Sequence, residues 1–149
     1  MILLSQRDPR WSQVKIGASN LTIGRYGCTT TCLSMLSDYF KCFVTPDAIA
    51  NKKNNYTPDG LVIWKNLSFA HMEFESRQIG RVDKDIQAAL KDPNRAVILL
   101  VDNGQHWVVA LGKTLTGNDY RVADPWFGDK RTACGTYKNI TGAAYFKRV

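Results

Sequence analysis

Two cysteines four positions apart, Cys28 and Cys32 in GCTTTCLSML, stand where small residues give way to an apolar stripe. Cysteines so placed serve as metal ligands, as small hydrophobes, or as a nucleophile at a helix start. For ligation the donor set would be Cys28, Cys32 and Cys42 with His71 or Cys134. Its spacing, three intervening residues and then nine, is not the paired short spacing of zinc fingers or ribbons. No metal site is therefore expected. For attack, Cys28 takes the first turn of the first long helix. Free backbone N–H groups and the positive end of the helix dipole stabilise a thiolate there. Gly27, just before it, carries no side chain to obstruct a carbonyl approaching the sulfur. Cys32, one turn on, shares a stripe with Leu36 and Tyr39 and reads as core.

A thiol nucleophile needs a base, and the chain has two histidines. His71 lies in SFAHMEF between a helix and a strand, where a lone histidine reads as a structural or surface residue. His106 opens the apolar run HWVVALG after a turn-like DNGQ. Eighteen residues later comes Asp124, in RVADPWFGD. With Gly112 to Tyr120 as a hairpin loop, the His106 strand runs antiparallel to the strand ending at Asp124. A turn near Leu115-Thr116 sets the carboxylate almost opposite the imidazole. An Asp-Pro pair also forms turns unaided. Thiol, imidazole and carboxylate together, on helix, strand and strand, make the set in which a base activates a nucleophile and an acid orients the base.

The elements that carry these residues follow from periodicity. The run ILL reads as a short opening strand, followed by a turn-rich loop to Asn20. From Thr29 to about Phe40, Cys32, Leu33, Leu36, Tyr39 and Phe40 follow a helical period. Thr45-Pro46 and Thr57-Pro58 each read as an N-cap with proline at the first helical position. Met72 to Ile79 alternates as a strand. Asp83 to Leu90 reads as a helix that stops before Asp92-Pro93. Ala96 to Val101, His106 to Gly112, Tyr120 to Ala123 and Ala143 to Lys147 read as strands. Helices first and a mostly antiparallel sheet second predict an α+β fold of one domain, residues 1–149. Its N-terminal helical half packs on the sheet half, with a cleft between them.

Composition bounds the setting. With 149 residues and 44% hydrophobic side chains, the chain suffices for one ordinary core. The longest apolar runs, VILLV and WVVAL, have strand length, so no membrane insertion is expected. MILLSQRD lacks the basic start and apolar length of a secretory signal, which predicts synthesis in the cytoplasm and thiols rather than disulfides. The net charge of +7 comes from scattered residues. It reads as a solvated basic surface or as attraction to a polyanion such as a bacterial wall. No nucleic-acid module accompanies it, so no nucleic-acid partner is expected. A monomer is expected.

GCTTTCLSML, QHWVVALG and VADPWFG resemble the three catalytic blocks of papain-like cysteine peptidases. The closest type trims double-glycine leaders in bacteriocin export, family thirty-nine of the cysteine peptidases, with its stand-alone bacterial and phage relatives. The resemblance implies a papain-like fold with Cys28 as nucleophile, His106 as general base and Asp124 as the orienting acid, and no metal or organic cofactor. Many papain-like enzymes carry an oxyanion-stabilising glutamine six residues before the nucleophile; here that residue is Thr22. Gln6 in LLSQRDPRW resembles the earlier placement of stand-alone relatives, which implies an oxyanion hole made by Gln6 and the Cys28 N–H. Trp107, on an inward strand, is expected in the core, and Trp126-Phe127 to line a substrate groove. The expected activity is amide hydrolysis. A phage-type lysis enzyme that cleaves peptidoglycan peptides, released to the wall by a holin, comes first. An intracellular processing peptidase acting on protein or peptide tails comes second, and a silent binding module on the papain-like frame third.

Overall fold

The computed structural model describes residues 1–149. Helices α1 (Ile23–Tyr26), α2 (Cys28–Tyr39) and α3 (Pro46–Ala50) come first, and short 3-10 turns follow at Lys53–Asn55 and Trp64–Asn66. Next are strands β1 (Ser68–Phe69) and β2 (Met72–Ile79), helix α4 (Asp83–Lys91), and strands β3 (Arg95–Val101), β4 (His106–Lys113), β5 (Tyr120–Asp124) and β6 (Asp129–Thr132). Helix α5 (Ala133–Tyr137) and strand β7 (Ile140–Arg148) end the chain. The seven strands form one antiparallel sheet in the order β1-β2-β7-β3-β4-β5-β6. This is the α+β arrangement expected, and it agrees with a papain-like domain.

The sheet is covered on both faces rather than on one. Ile98, Trp107, Val109, Ala144 and Phe146 pack under Leu33, Met35 and Leu36 of α2. Val97, Leu99, Val108, Val122 and Tyr145, alternating with them, pack under Ile86 and Ala89 of α4 and Ala133 of α5. That two-sided burial explains why RAVILLV reads as a continuous apolar run and not as an alternation. Each fully buried Leu or Ile contributes about 1.5–3 kcal/mol relative to exposure.

Helix α2 is buried along almost its whole length, from Thr30 to Ser37. Its small hydroxyl residues let it sit close to its neighbours and find partners there. The Thr30 hydroxyl lies 2.7 Å from that of Tyr56, and Ser34 donates to the Val44 carbonyl at 2.6 Å. Ser37 donates to the Ser34 carbonyl at 2.6 Å and accepts from the Val44 N–H at 2.8 Å. Cys32 is fully buried and its thiol donates to the Trp107 carbonyl at 3.4 Å, tying α2 to β4.

Three expectations change. The run ILL forms no strand: Met1 to Leu3 are exposed and lie along α2, where the Ile2 N–H donates to Asp38 Oδ2 at 2.6 Å. Thr57-Pro58 starts no helix. Pro58-Asp59-Gly60 is a turn, with Gly60 at φ +84° and the Leu61 N–H bonded to Thr57 Oγ1 at 3.1 Å. The last strand begins at Ile140 rather than Ala143, because its pairing with β3 reaches to Val101.

Candidate active site

Cys28 opens α2, with Gly27 as the helix N-cap accepting from the Thr31 N–H at 2.9 Å. The first N–H groups of α2 have no intrahelical acceptor and surround the sulfur with positive potential. Gly27 itself is buried. A Cβ there would lie 2.5 Å from the Ile23 carbonyl oxygen, so glycine lets α1 and α2 meet end to end and sets where the thiol stands.

His106 begins β4 after a four-residue hairpin loop in which Asp102, Asn103 and Gly104 all take positive φ. Asx residues tolerate that region, and Asn103 is held there by a reciprocal pair of hydrogen bonds with Asn139 at 2.8 and 3.2 Å. Asp124 ends β5, and Pro125 follows it. Near the hairpin turn Lys113 pairs with Tyr120 and Gly112 with Arg121; further along, Ala110 pairs with Val122 and Val109 with Ala123. Leu111 is thus one extra residue in β4. Because side chains alternate faces, this bulge moves Asp124 onto the face that carries His106. Asp124 falls level with Val108, and the remaining diagonal is closed by a 2.9 Å bond between its Oδ1 and His106 Nε2. With Nε2 so engaged, Nδ1 is the nitrogen left for the Cys28 thiol.

The carboxylate is fully enclosed and fully used. Oδ1 also accepts from the Trp126 N–H at 2.9 Å, and Oδ2 accepts from the Tyr137 hydroxyl. Tyr137 places its ring 5.1 Å from the imidazole, packing His106 from the α5 side. Nothing in the sequence around ACGTYKN marks that tyrosine, since α5 is too short to show a period. Burial raises the Asp124 carboxyl pKa, but the bonds from His106, Tyr137 and the Trp126 N–H outweigh it and hold the group below its ordinary value.

The same competition governs the pair it supports. Burial pushes the Cys28 thiol up, and the hydrogen bond and charge of His106, with the Trp107 N–H and the Thr29 side chain, bring it below its ordinary value. Burial pushes His106 down, and Asp124 and Cys28 raise it to about 9. A lowered thiol beside a raised imidazole favours passage of the proton from sulfur to ring, toward a thiolate–imidazolium pair. The sign follows for activity. For the expected amide hydrolysis, protonation of the Cys28 thiolate at low pH would remove the nucleophile, and above about 9 the imidazolium that would protonate a leaving amine is lost. A bell-shaped kcat/KM profile is expected, with an alkaline midpoint near 9 in place of a histidine's ordinary neutral one. Initial rates across pH with one amide substrate check this, and an alkaline limb with its midpoint near 6.5 would contradict it.

Cys28, His106, Gln6, Trp126 and Tyr137 all line one cavity of about 410 Å³. A cavity of about 260 Å³ beneath Met1 and Tyr39 is apolar and contains none of these groups, so chemistry and not concavity marks the site. Gln6 is buried in a turn rather than at a strand end, and its backbone N–H donates to the Pro125 carbonyl at 2.7 Å. Ser5 Oγ and Arg7 Nε bond the Trp126 carbonyl at 3.3 and 2.9 Å, so residues 5–7 clasp the loop after Asp124. Gly128, at φ +74°, permits the clasp, since a Cβ there would meet Ser5 Cβ at 3.0 Å. The Gln6 amide nitrogen faces the Gly24 and Ile23 carbonyls at 3.3 and 3.5 Å, and its Oε1 is buried without a partner. Those bonds are long, which leaves the amide weakly committed. Trp126 and Phe127 are partly exposed at the cavity, under Arg7, whose guanidinium stacks on the Trp126 ring at 4.4 Å.

The remaining candidates lie elsewhere. Trp107 is in the core. His71 is exposed in the β1–β2 turn at φ +60° and does not line the cavity. All four cysteines are unpaired, and no three His, Cys, Asp or Glu side chains converge in a metal-holding group.

No curated protein and no solved structure gives a match to the chain. The sequence pattern of the Peptidase C39 family matches residues 22–137, a span that contains Cys28, His106, Asp124 and Tyr137 and leaves Gln6 outside. With that match over most of its length, the chain belongs to the Peptidase C39 family and is a cysteine peptidase.

Proposed function

We propose that Cys28, His106 and Asp124 form the catalytic triad of this peptidase and that its substrates are the amide bonds of peptidoglycan peptides. The contact chain from thiol to imidazole to enclosed carboxylate, opening on one cavity, carries the first part. The Cys28 thiolate adds to the carbonyl carbon. The oxyanion is held by the Cys28 N–H and by Gln6 Nε2, which exchanges its long bonds to Gly24 and Ile23 for a charge-assisted one. The imidazolium then gives its proton to the leaving amine as the C–N bond breaks. Water, deprotonated by His106, cleaves the thioester and restores the pair. Asp124 keeps Nε2–H in place through both steps, and Trp126 flanks the substrate. None of these steps calls on a metal or organic cofactor.

The wall reading rests on charge. Arg7 and Arg25 lie near the cavity mouth without a carboxylate partner, in a protein of net charge +7. A basic entrance raises the local concentration of a catalyst at an anionic polymer. In this reading the protein works as a monomer, made in the cytoplasm and released to the wall by a holin. The test is release of new amino groups from purified peptidoglycan by the wild-type protein and by Cys28→Ala. Release that disappears in the variant supports the reading, and the fragment masses name the bond. Cleavage confined to soluble peptides replaces it with processing of protein or peptide tails.

A further inference from the structure

A second cavity, of about 370 Å³, adjoins the first at Tyr26, which lines both. Thr29, Trp107, Trp64 and Leu61 are among its walls, and so is Arg77. The chain neighbours of Cys28 and His106 thus border it, while the imidazole itself lines only the first cavity. A leaving amine must lie against that imidazole to take its proton. The amine side of a substrate therefore occupies the first cavity, and the acyl side runs into the second.

Arg77 is the unusual wall. Trp64 and Trp107 stand with ring centroids 5.2 Å apart, and the Arg77 guanidinium sits over both, 5.2 and 5.3 Å from their centroids. It takes part in none of the ion pairs of the structure and makes no hydrogen bond, so its five N–H donors are free. Its place also depends on a device. In β2, Phe74 pairs with Phe146 and Ser76 with Tyr145, so Glu75 is an extra residue. Without that bulge, alternation from Met72 and Phe74 would send Arg77 to the opposite face, toward α4. With it, Arg77 faces the helical layer and the cavity. Stacking on the tryptophans fixes the plane of the guanidinium and leaves its edge for an acceptor.

We propose that the second cavity is an acyl-side subsite selecting a substrate residue with a carboxylate side chain, Asp or Glu, held by Arg77 on its tryptophan platform. This rests on Cys28 as the nucleophile, and the test separates the two. Acetylated tripeptidyl chloromethyl ketones alkylate Cys28, the sulfur displacing chloride, without any scissile bond having to be guessed. Glutamate and glutamine are compared at each of the three positions. At one position wild-type protein is expected to react about tenfold faster with glutamate, a preference that shrinks as salt rises. Arg77→Gln should bring the ratio to near one, and Arg77→Glu should favour lysine there instead. Selective alkylation of Cys28 with no glutamate preference at any position, or a preference unchanged in Arg77→Gln, overturns the subsite alone. Failure of every reagent to alkylate Cys28 ahead of the other cysteines overturns the nucleophile and the subsite with it.

Discussion

Cys28→Ala is expected to lower hydrolysis by about 10⁵-fold or more, the scale on which loss of a nucleophile removes a whole covalent route. Whatever turnover is left comes from the oxyanion donors and from binding, which the substitution spares. The fold should survive, because Cys28 is only half-buried and alanine suits the first turn of a helix. A second readout shows that the site persists. The hydrogen bond and charge of the thiolate help hold His106 near 9, after burial and Asp124 have acted. In Cys28→Ala the His106 midpoint, followed by NMR titration, should therefore fall while its bond to Asp124 remains. An inactive variant with an unmoved His106 would mean that the two groups do not interact. Cys32→Ala is the natural contrast. That thiol is fully buried, burial pushes its pKa far up, and its loss should cost stability rather than turnover.

Much of the candidate site was legible from one sequence. Helix α2, strands β2 to β5 and helix α4 carry periods or apolar runs long enough to read, and Cys28, His106 and Asp124 stand at their ends, where their positions are set by those elements. What escaped depends on single residues or on distant chain. Leu111 and Glu75 are ordinary strand residues by composition, yet each shifts a register by one and decides which face Asp124 and Arg77 occupy. Tyr137 belongs to a five-residue helix and meets Asp124 only because β6 and α5 fold back over β5. The ILL run misled because three apolar residues suit a strand equally well as a segment laid on α2. Thr57-Pro58 misled because the Asp59-Gly60 pair that follows makes a turn before a helix can propagate.

Tyr137 changes what to expect at Asp124. Three donors converge on this carboxylate: His106 Nε2 and the Trp126 N–H on Oδ1, and the Tyr137 hydroxyl on Oδ2. Asp124→Ala strands all three in a closed pocket, so activity should fall by about 10³- to 10⁴-fold. Stability should fall by about 2–5 kcal/mol, read from denaturant midpoints at constant slope. Asp124→Asn is a different matter. In serine-type triads this change installs the wrong histidine tautomer, with the amide NH₂ toward the ring. Here one orientation satisfies every neighbour: the amide oxygen accepts from His106 and Trp126, and the NH₂ donates to a Tyr137 hydroxyl that rotates to accept. The asparagine variant should therefore keep far more activity than the alanine variant. Its alkaline limb should move to lower pH, since the negative charge that raises His106 is gone. Tyr137→Phe combined with Asp124→Asn removes the group that orients the amide, and the double variant should lose more than the two single losses multiplied together. Single-variant losses that simply multiply would show that Tyr137 packs against residue 124 without orienting it.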